Sequence, residues 1–214
     1  MPSFKIEDKY VSELNVAIAA VHRACFMSRS LQRYLISNDT TSSKDDSSPV
    51  TVADFAVQAL VIDALSKAFP TDEFIAEESS AILKERPDVT HQVLRALNLN
   101  REYTGTREGS NEAEWTEASL FKVIDRGNFA NNVTENNTDD IYASERNSGS
   151  DSEPRRVWVL DPIDGTKGFL RKQHFCIALG LMVNGIPTLS VMGTPNMDVQ
   201  PVLDRASAPA VVKV

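Results

Sequence analysis

Apolar residues return at helical spacing from about residue 7 to residue 36. Leu14, Ile18, Val21, Cys25, Leu31 and Leu35 make one stripe, which predicts a long amphipathic helix from Glu7 to Ile36 packed on a core. Ser37 to Ser48 carries no apolar residue and reads as a polar loop. A second, broader apolar face follows in Val52, Phe55, Ala56, Ala59, Leu60, Ile62, Leu65 and Phe69. There Pro49 precedes the helix, Thr51 is the expected N-cap, Asp54 stands three residues on as in a capping box, and Pro70 ends the run. Phe74-Ile75-Ala76 predicts a short strand leading into Glu77-Glu78-Ser79-Ser80. From Asn98 to about Arg156 the chain is mostly polar, with a helix-like piece at Ala118 to Ile124 and an exposed loop at Ser144 to Pro154. The period then changes to that of a sheet. Val157 to Leu160 and Phe175 to Val183 are apolar runs, Asn184-Gly185 is a two-residue hairpin signal, and Ile186 to Met192 returns. Pro187 assigns part of that last strand to an edge or a bulge. The succession predicts an α+β fold, two long helices packed on a largely antiparallel sheet, rather than an alternating βαβ series.

Composition narrows the function classes. The 214 residues are 42% hydrophobic and 24% charged, as in a soluble globular protein. A formal net charge of −8 disfavours nucleic-acid polymers and anionic membranes as partners. A small anionic substrate stays compatible, because a bound cation inverts the local field. Cys25 and Cys176 lie in apolar surroundings and read as buried, reduced thiols. No apolar run approaches about 20 residues and none resembles a signal peptide, so a cytoplasmic location is expected. The glycosylation-type triplets at Asn132 and Asn136 would then go unused. His22, His91 and His174 are scattered, and no Cys/His set suggests zinc.

The strongest chemical signal is Val157-Trp158-Val159-Leu160-Asp161-Pro162-Ile163-Asp164-Gly165-Thr166-Lys167-Gly168-Phe169. An apolar strand runs into two carboxylates three residues apart, then into a Gly-Thr turn. Two such charges about 4 Å apart repel by roughly 4 kcal/mol at an effective dielectric of 20. A hard cation between them reverses the sign, which points to Mg²⁺. Gly165 and Thr166 add N–H groups and a hydroxyl suited to a phosphate oxygen. Taken singly these features are weak: Asp-Pro and Asp-Gly are ordinary turn pairs, Asp54 suits a helix cap, and Glu77-Glu78 suits a solvated surface.

Together the motifs resemble the lithium-sensitive phosphatase superfamily, which includes inositol monophosphatases and 3′(2′),5′-bisphosphate nucleotidases. Asp161-Pro162-Ile163-Asp164-Gly165-Thr166 looks like its signature, and Lys167-Gly168-Phe169 looks like the bisphosphate nucleotidase branch. Ser48-Pro49-Val50-Thr51-Val52-Ala53-Asp54, Glu77-Glu78-Ser79-Ser80, Ile124-Asp125-Arg126-Gly127-Asn128 and Gly193-Thr194-Pro195-Asn196 are further landmarks in the right order. The resemblance implies that Glu77, Asp161, Asp164 and the Ile163 carbonyl hold two or three Mg²⁺ ions, with Glu78 behind them. It implies that Gly165 and Thr166 bind the scissile phosphate, and that Asp54 and Thr166 orient and deprotonate the attacking water. The implied reaction is hydrolysis of 3′-phosphoadenosine 5′-phosphate to AMP and phosphate in sulfur assimilation, sensitive to lithium or sodium. Inositol polyphosphate 1-phosphatase or inositol monophosphatase activity is the alternative within the superfamily.

The resemblance stops near Asn196. Members carry a later Trp-Asp element whose acid completes the metal site, whereas Trp115 and Trp158 are not followed by Asp here. The expectation is a metal- and phosphate-binding domain over residues 1–196, an unassigned tail over 197–214, and no second domain to grip the nucleotide. Little nucleotidase activity is expected of these residues alone, and a non-catalytic cation-binding remnant is the reading from outside the enzyme class.

Overall fold

The computed structural model describes residues 8–38, 49–104, 113–128 and 154–197. A single turn of 3-10 helix, Asp8–Tyr10, enters α1 (Val11–Asn38), and α2 follows at Pro49–Ala68. Strand β1 (Glu73–Ala76) leads to α3 (Ser80–Glu85), α4 (Pro87–Thr104) and α5 (Glu117–Asp125). Then come β2 (Arg156–Asp164), the short α6 (Thr166–Leu170), β3 (Cys176–Val183) and β4 (Ile186–Gly193). The strands form one sheet in the order β1-β2-β3-β4. β1 runs parallel to β2, and the other two pairings are antiparallel. This is the expected α+β fold with a largely antiparallel sheet.

α2 is the centre of the core. Every residue from Phe55 to Ile62 is buried, so the helix is covered on all sides, as an element between layers must be. It packs against α1, α4 and α5 and against β2. Each of its large aliphatic or aromatic side chains contributes roughly 1.5–3 kcal/mol of transfer free energy by leaving water. α1 lies over β3 and β4. Its most buried positions are the small residues Ala17, Ala20, Val21 and Ala24, while Leu14, Ile18 and Leu31 sit at the margin. Small side chains let the helix approach closely. At Gly193 a Cβ would stand 2.3 Å from Cys25 Sγ and 2.7 Å from Val21 Cγ1, so glycine is required where β4 meets α1.

Several local expectations hold. Asn184 and Gly185 both take positive φ, 51° and 77°, the geometry of the tight hairpin. β4 is an edge strand, and its register with β3 shifts between Leu181 and Met182, opposite Pro187. Cys25 and Cys176 are free and buried. The predicted piece at Ala118 to Ile124 is α5, opened by a capping box between Thr116 and Ser119.

Others need correction. Thr51 is not the N-cap of the second helix. α2 already begins at Pro49, which occupies the first helical position where its missing N–H costs nothing. Asp54 is therefore the sixth residue of α2, beyond the first turn, and cannot cap it. Ser37 and Asn38 belong to α1 rather than to the polar loop, most of which lies outside the described residues. α3 and α4 were not singled out by the apolar pattern, and α4 runs on into the mostly polar stretch that begins at Asn98. The loop at 144–153, Asn132, Asn136 and the tail after Met197 lie outside the described residues.

Candidate functional site

The two acids of the signature end β2. Asp161 pairs with Ala178 and Asp164 with Cys176, so three steps on β2 face two on β3. In a regular strand residues three apart point to opposite faces. The extra residue corrects the phase and turns both carboxylates the same way. Burial records the switch: Trp158, Leu160 and Pro162 are buried, then Ile163 is, and Asp164 is exposed. Pro162, which lacks a donor, sits where the ladder is broken.

Strand pairing brings the second acidic pair alongside. Ala76 is in register with Leu160 on its parallel neighbour, so Glu77 leaves β1 beside Asp161. Asp54 approaches from α2. The result is one electrostatic group drawn from three segments. Burial raises the Asp54 carboxyl to about 8, helped by Glu78, Glu77 and Asp161. Burial and the charge of Glu77 raise Glu78 to about 7. Asp161 is pushed up by burial, Asp164 and Glu77, and drawn back by a hydrogen bond from the Ile163 N–H. The Cys176 thiol donates to Asp164 Oδ2 at 3.3 Å, and burial with that carboxylate lifts the thiol to about 11. Among the described residues no lysine or arginine forms an ion pair with any of the five acids.

The chemistry of this set fits a hard divalent cation. All its ligating atoms are oxygens, and Asp161 Oδ1 is buried without a hydrogen-bond partner. The acids are gathered but not closed into a cage. Among the described residues no three Asp, Glu, His or Cys side chains stand in a metal-holding arrangement. Carboxylates that repel one another across such a gap are expected to stay apart until a positive charge lies between them.

The phosphate arm is adjacent. Gly165 has φ 94°, a left-handed conformation that favours glycine, and precedes α6 with no side-chain cap. Thr166 is exposed at the first position of α6. At Gly168 a Cβ would meet His174 O at 1.9 Å, so the chain folds back on itself there through Gln173 N to Gly168 O at 2.8 Å. Gln32, buried on α1, donates to Phe169 O at 2.7 Å and accepts from Asn196 Nδ2 at 2.8 Å. Asn196 also donates to Gln173 O at 2.9 Å, which gives the Gly-Thr-Pro-Asn landmark a structural part. The residues missed in the sequence are Gln32 and Gln58. Their signal was a polar side chain inside an apolar helical face.

The family model for the inositol monophosphatase family matches residues 93–208. A 3′(2′),5′-bisphosphate nucleotidase of Dictyostelium discoideum is 39% identical over 186 residues, covering 86% of this chain and 47% of that protein. The enzyme of that name from Schizosaccharomyces pombe is 34% identical, covering 87% and 48%. A putative 3′(2′),5′-bisphosphate nucleotidase, mitochondrial, of Arabidopsis thaliana is 35% identical, covering 92% and 44%. Inositol monophosphatase II of Staphylococcus aureus MSSA476 has a crystal structure with a TM-score of 0.43 and 16% identity, covering 86% of this chain and 42% of that one. The chain thus spans about half the length of the curated relatives it matches. No helix among the described residues is long and apolar enough to cross a membrane. With its signature at the end of β2 and the family match over more than half its length, the chain belongs to the inositol monophosphatase family.

Proposed function

We propose that this chain supplies the metal- and phosphate-binding part of a Mg²⁺-dependent phosphatase that converts 3′-phosphoadenosine 5′-phosphate to AMP and phosphate. The observation that carries the reading is the acid group itself: five carboxylates meet from three segments, the proton affinities of Asp54, Glu78 and Asp161 rise, and among the described residues no lysine or arginine pairs with them. The naming of the curated relatives as bisphosphate nucleotidases supports the substrate class.

In this reading Glu77, Asp161, Asp164 and the Ile163 carbonyl hold two or three Mg²⁺ ions, and Glu78 stands behind them. When bound, Mg²⁺ supplies positive charge that offsets the phosphate and acidifies water. Gly165 and Thr166 receive the scissile phosphate at the turn into α6, where uncapped N–H groups are available. Asp54 and Thr166 orient the attacking water, and Asp54 takes its proton. Burial and the like charges of Glu78, Glu77 and Asp161 raise Asp54 in the metal-free chain; cations held among those acids would offset the like-charge part and leave Asp54 ionised to accept the proton. The same reading carries lithium or sodium sensitivity, a role in sulfur assimilation and a domain over residues 1–196. The tail at 197–214 has no assigned part. The expected turnover of these 214 residues by themselves is low, because a further acid that the resemblance calls for is not in the sequence.

The test is calorimetry with Mg²⁺ on the chain and its Asp161→Asn variant. It is followed by binding and phosphate release with 3′-phosphoadenosine 5′-phosphate, inositol 1-phosphate and inositol 1,4-bisphosphate. The expected result is Mg²⁺ binding that the variant loses, and Mg²⁺-dependent binding with slow hydrolysis of the adenosine compound in preference to the inositol phosphates. Preference for an inositol phosphate would move the chain to the other branch. Mg²⁺ binding with no hydrolysis of any compound would leave the cation-binding remnant, and no Mg²⁺ binding would sink the site.

A further inference from the structure

Glu77 and Glu78 lie just past the end of β1, where the ladder to β2 has stopped at Ala76. Backbone groups there have lost their strand partner, and a buried group left unpaired costs free energy. One side chain replaces the strand. Gln58 Nε2 donates to Glu78 O at 2.9 Å, and Gln58 Oε1 accepts from Glu78 N at 2.9 Å. The primary amide thus pairs with both backbone groups of one residue, as a neighbouring strand would. Gln58 has no exposed surface. It stands four residues after Asp54 on α2, so the two occupy one helix face a turn apart.

We infer that Gln58 is a positioning residue that sets the height of the Glu77-Glu78 pair against Asp54 and Asp161, and through it the cation affinity of the site. The role rests on the metal-binding reading above. The opposite side of the same segment is held by the Ile124-Asp125-Arg126-Gly127-Asn128 turn. Ala76 N donates to Gly127 O at 2.9 Å, Ile75 bridges Asn128, and Ser80 N donates to Asp125 Oδ1 at 3.3 Å. Gly127 packs against the clasp itself: a Cβ there would lie 3.0 Å from Ala76 Cβ and 3.1 Å from Gln58 Nε2. An apolar side chain of the same size would fill the space beside α2. Only an amide fills it and fixes the following carboxylates, because both its donor and its acceptor are used on one residue.

The variant Gln58→Met keeps the volume and removes both hydrogen bonds. Thr90→Val is the control: Thr90 is also buried and donates to a backbone carbonyl, Leu83 O at 2.8 Å, away from the acids. Mg²⁺ affinity is measured by calorimetry on the whole chain, and exchange of the Glu78 amide by NMR. Gln58→Met is expected to weaken Mg²⁺ binding by about tenfold or more and to speed Glu78 exchange by a similar factor, while Thr90→Val changes each less than about twofold. Gly127→Ala, which presses on the clasp without altering Gln58, is expected to weaken Mg²⁺ binding several-fold, and it decides the matter if Gln58→Met does not fold. Wild-type Mg²⁺ affinity in a folded Gln58→Met, or in Gly127→Ala, would overturn the role and leave the metal site standing. Failure of the wild-type chain to bind Mg²⁺ would overturn both.

Discussion

Acids gather at both ends of the β1–β2 pair, and the two ends treat them differently. Where the strands begin, Glu13 and Asp72 are almost fully buried and share one arginine. Arg156 Nη1 lies 2.7 Å from Glu13 Oε1, its Nε lies 2.9 Å from Asp72 Oδ1, and its Nη2 donates to Asp72 Oδ2 at 3.1 Å. Trp158 Nε1 adds a bond to Asp72 Oδ2 at 2.8 Å. Burial works against the guanidinium charge, but the two carboxylates hold it and raise its pKa. Where the strands end, Asp54, Glu77, Glu78, Asp161 and Asp164 meet no such cation among the described residues, and the proton affinities of Asp54, Glu78 and Asp161 rise instead. An unpartnered oxygen alone does not separate the two ends, since Glu13 Oε2 is one as well as Asp161 Oδ1. The balance of charge does. An acid that serves the fold is given its counter-charge by the chain, whereas a group left in deficit is suited to a counter-charge from outside.

The largest effect should come from removing the internal cation. Arg156→Met leaves two buried acids unpaired and should cost about 3–5 kcal/mol in urea unfolding near neutral pH. It should also make the first end behave like the second, with stability falling as pH rises. Loss of less than about 1 kcal/mol, with no new pH dependence, would erase the contrast between the two ends.

The second end should show its deficit as a pH dependence. Asp54 keeps its proton up to about pH 8 when folded and releases it near the ordinary 3.8 of an aspartate when unfolded. The folded state therefore binds more protons between those values, and stability must fall as pH rises through that window, levelling above it. Glu78, at about 7, acts in the same sense over a narrower range. The metal-free chain should lose roughly 2–4 kcal/mol between pH 4.5 and pH 8.5, a discounted sum for partly solvated groups. Saturating Mg²⁺ should flatten that slope, because a ligand that binds only the folded state stabilises it. A flat profile without metal would contradict the burial of these acids.

A smaller change should come from Asp54→Asn. It removes the charge that is hardest to bury and should raise metal-free stability at pH 8 by about 1–3 kcal/mol. The same substitution should remove whatever phosphate release the chain shows. A fall in stability at pH 8 would mean that Asp54 is paired after all. The smallest effect is expected at Lys67→Ala. Its pair with Asp63, 2.6 Å apart, is solvent-exposed on the lysine side, and its loss should cost no more than about 0.5 kcal/mol in the same unfolding assay.

Much of the architecture was legible because period reports burial directly. The helix of α1, the broad face of α2, the switch to alternating apolar positions and the Asn184-Gly185 turn each survive in the structure, although the buried face of α1 centres on Ala17, Ala20, Val21 and Ala24. α4 was harder to see, since its buried residues, Val89, Val93, Ala96 and Leu97, are interleaved with polar ones over a mostly polar segment. Asp54 illustrates the limit of local reasoning. Three residues after Thr51 it looked like a capping acid, and only the start of α2 at Pro49 removed that role.

Residue order by itself singled out the candidate site residues, namely the Asp161-Pro162-Ile163-Asp164-Gly165-Thr166 run, the Glu77-Glu78 pair and Asp54. Tertiary structure alone decided that they share one place. The parallel register of Ala76 with Leu160 puts Glu77 beside Asp161, one extra residue in β2 turns Asp161 and Asp164 to the same face, and Gln58 ties α2 to the end of β1. The reason is physical: periodicity records which face of an element leaves water, but pairing register and long-range hydrogen bonds join residues far apart in the chain, and neither leaves a repeat to read.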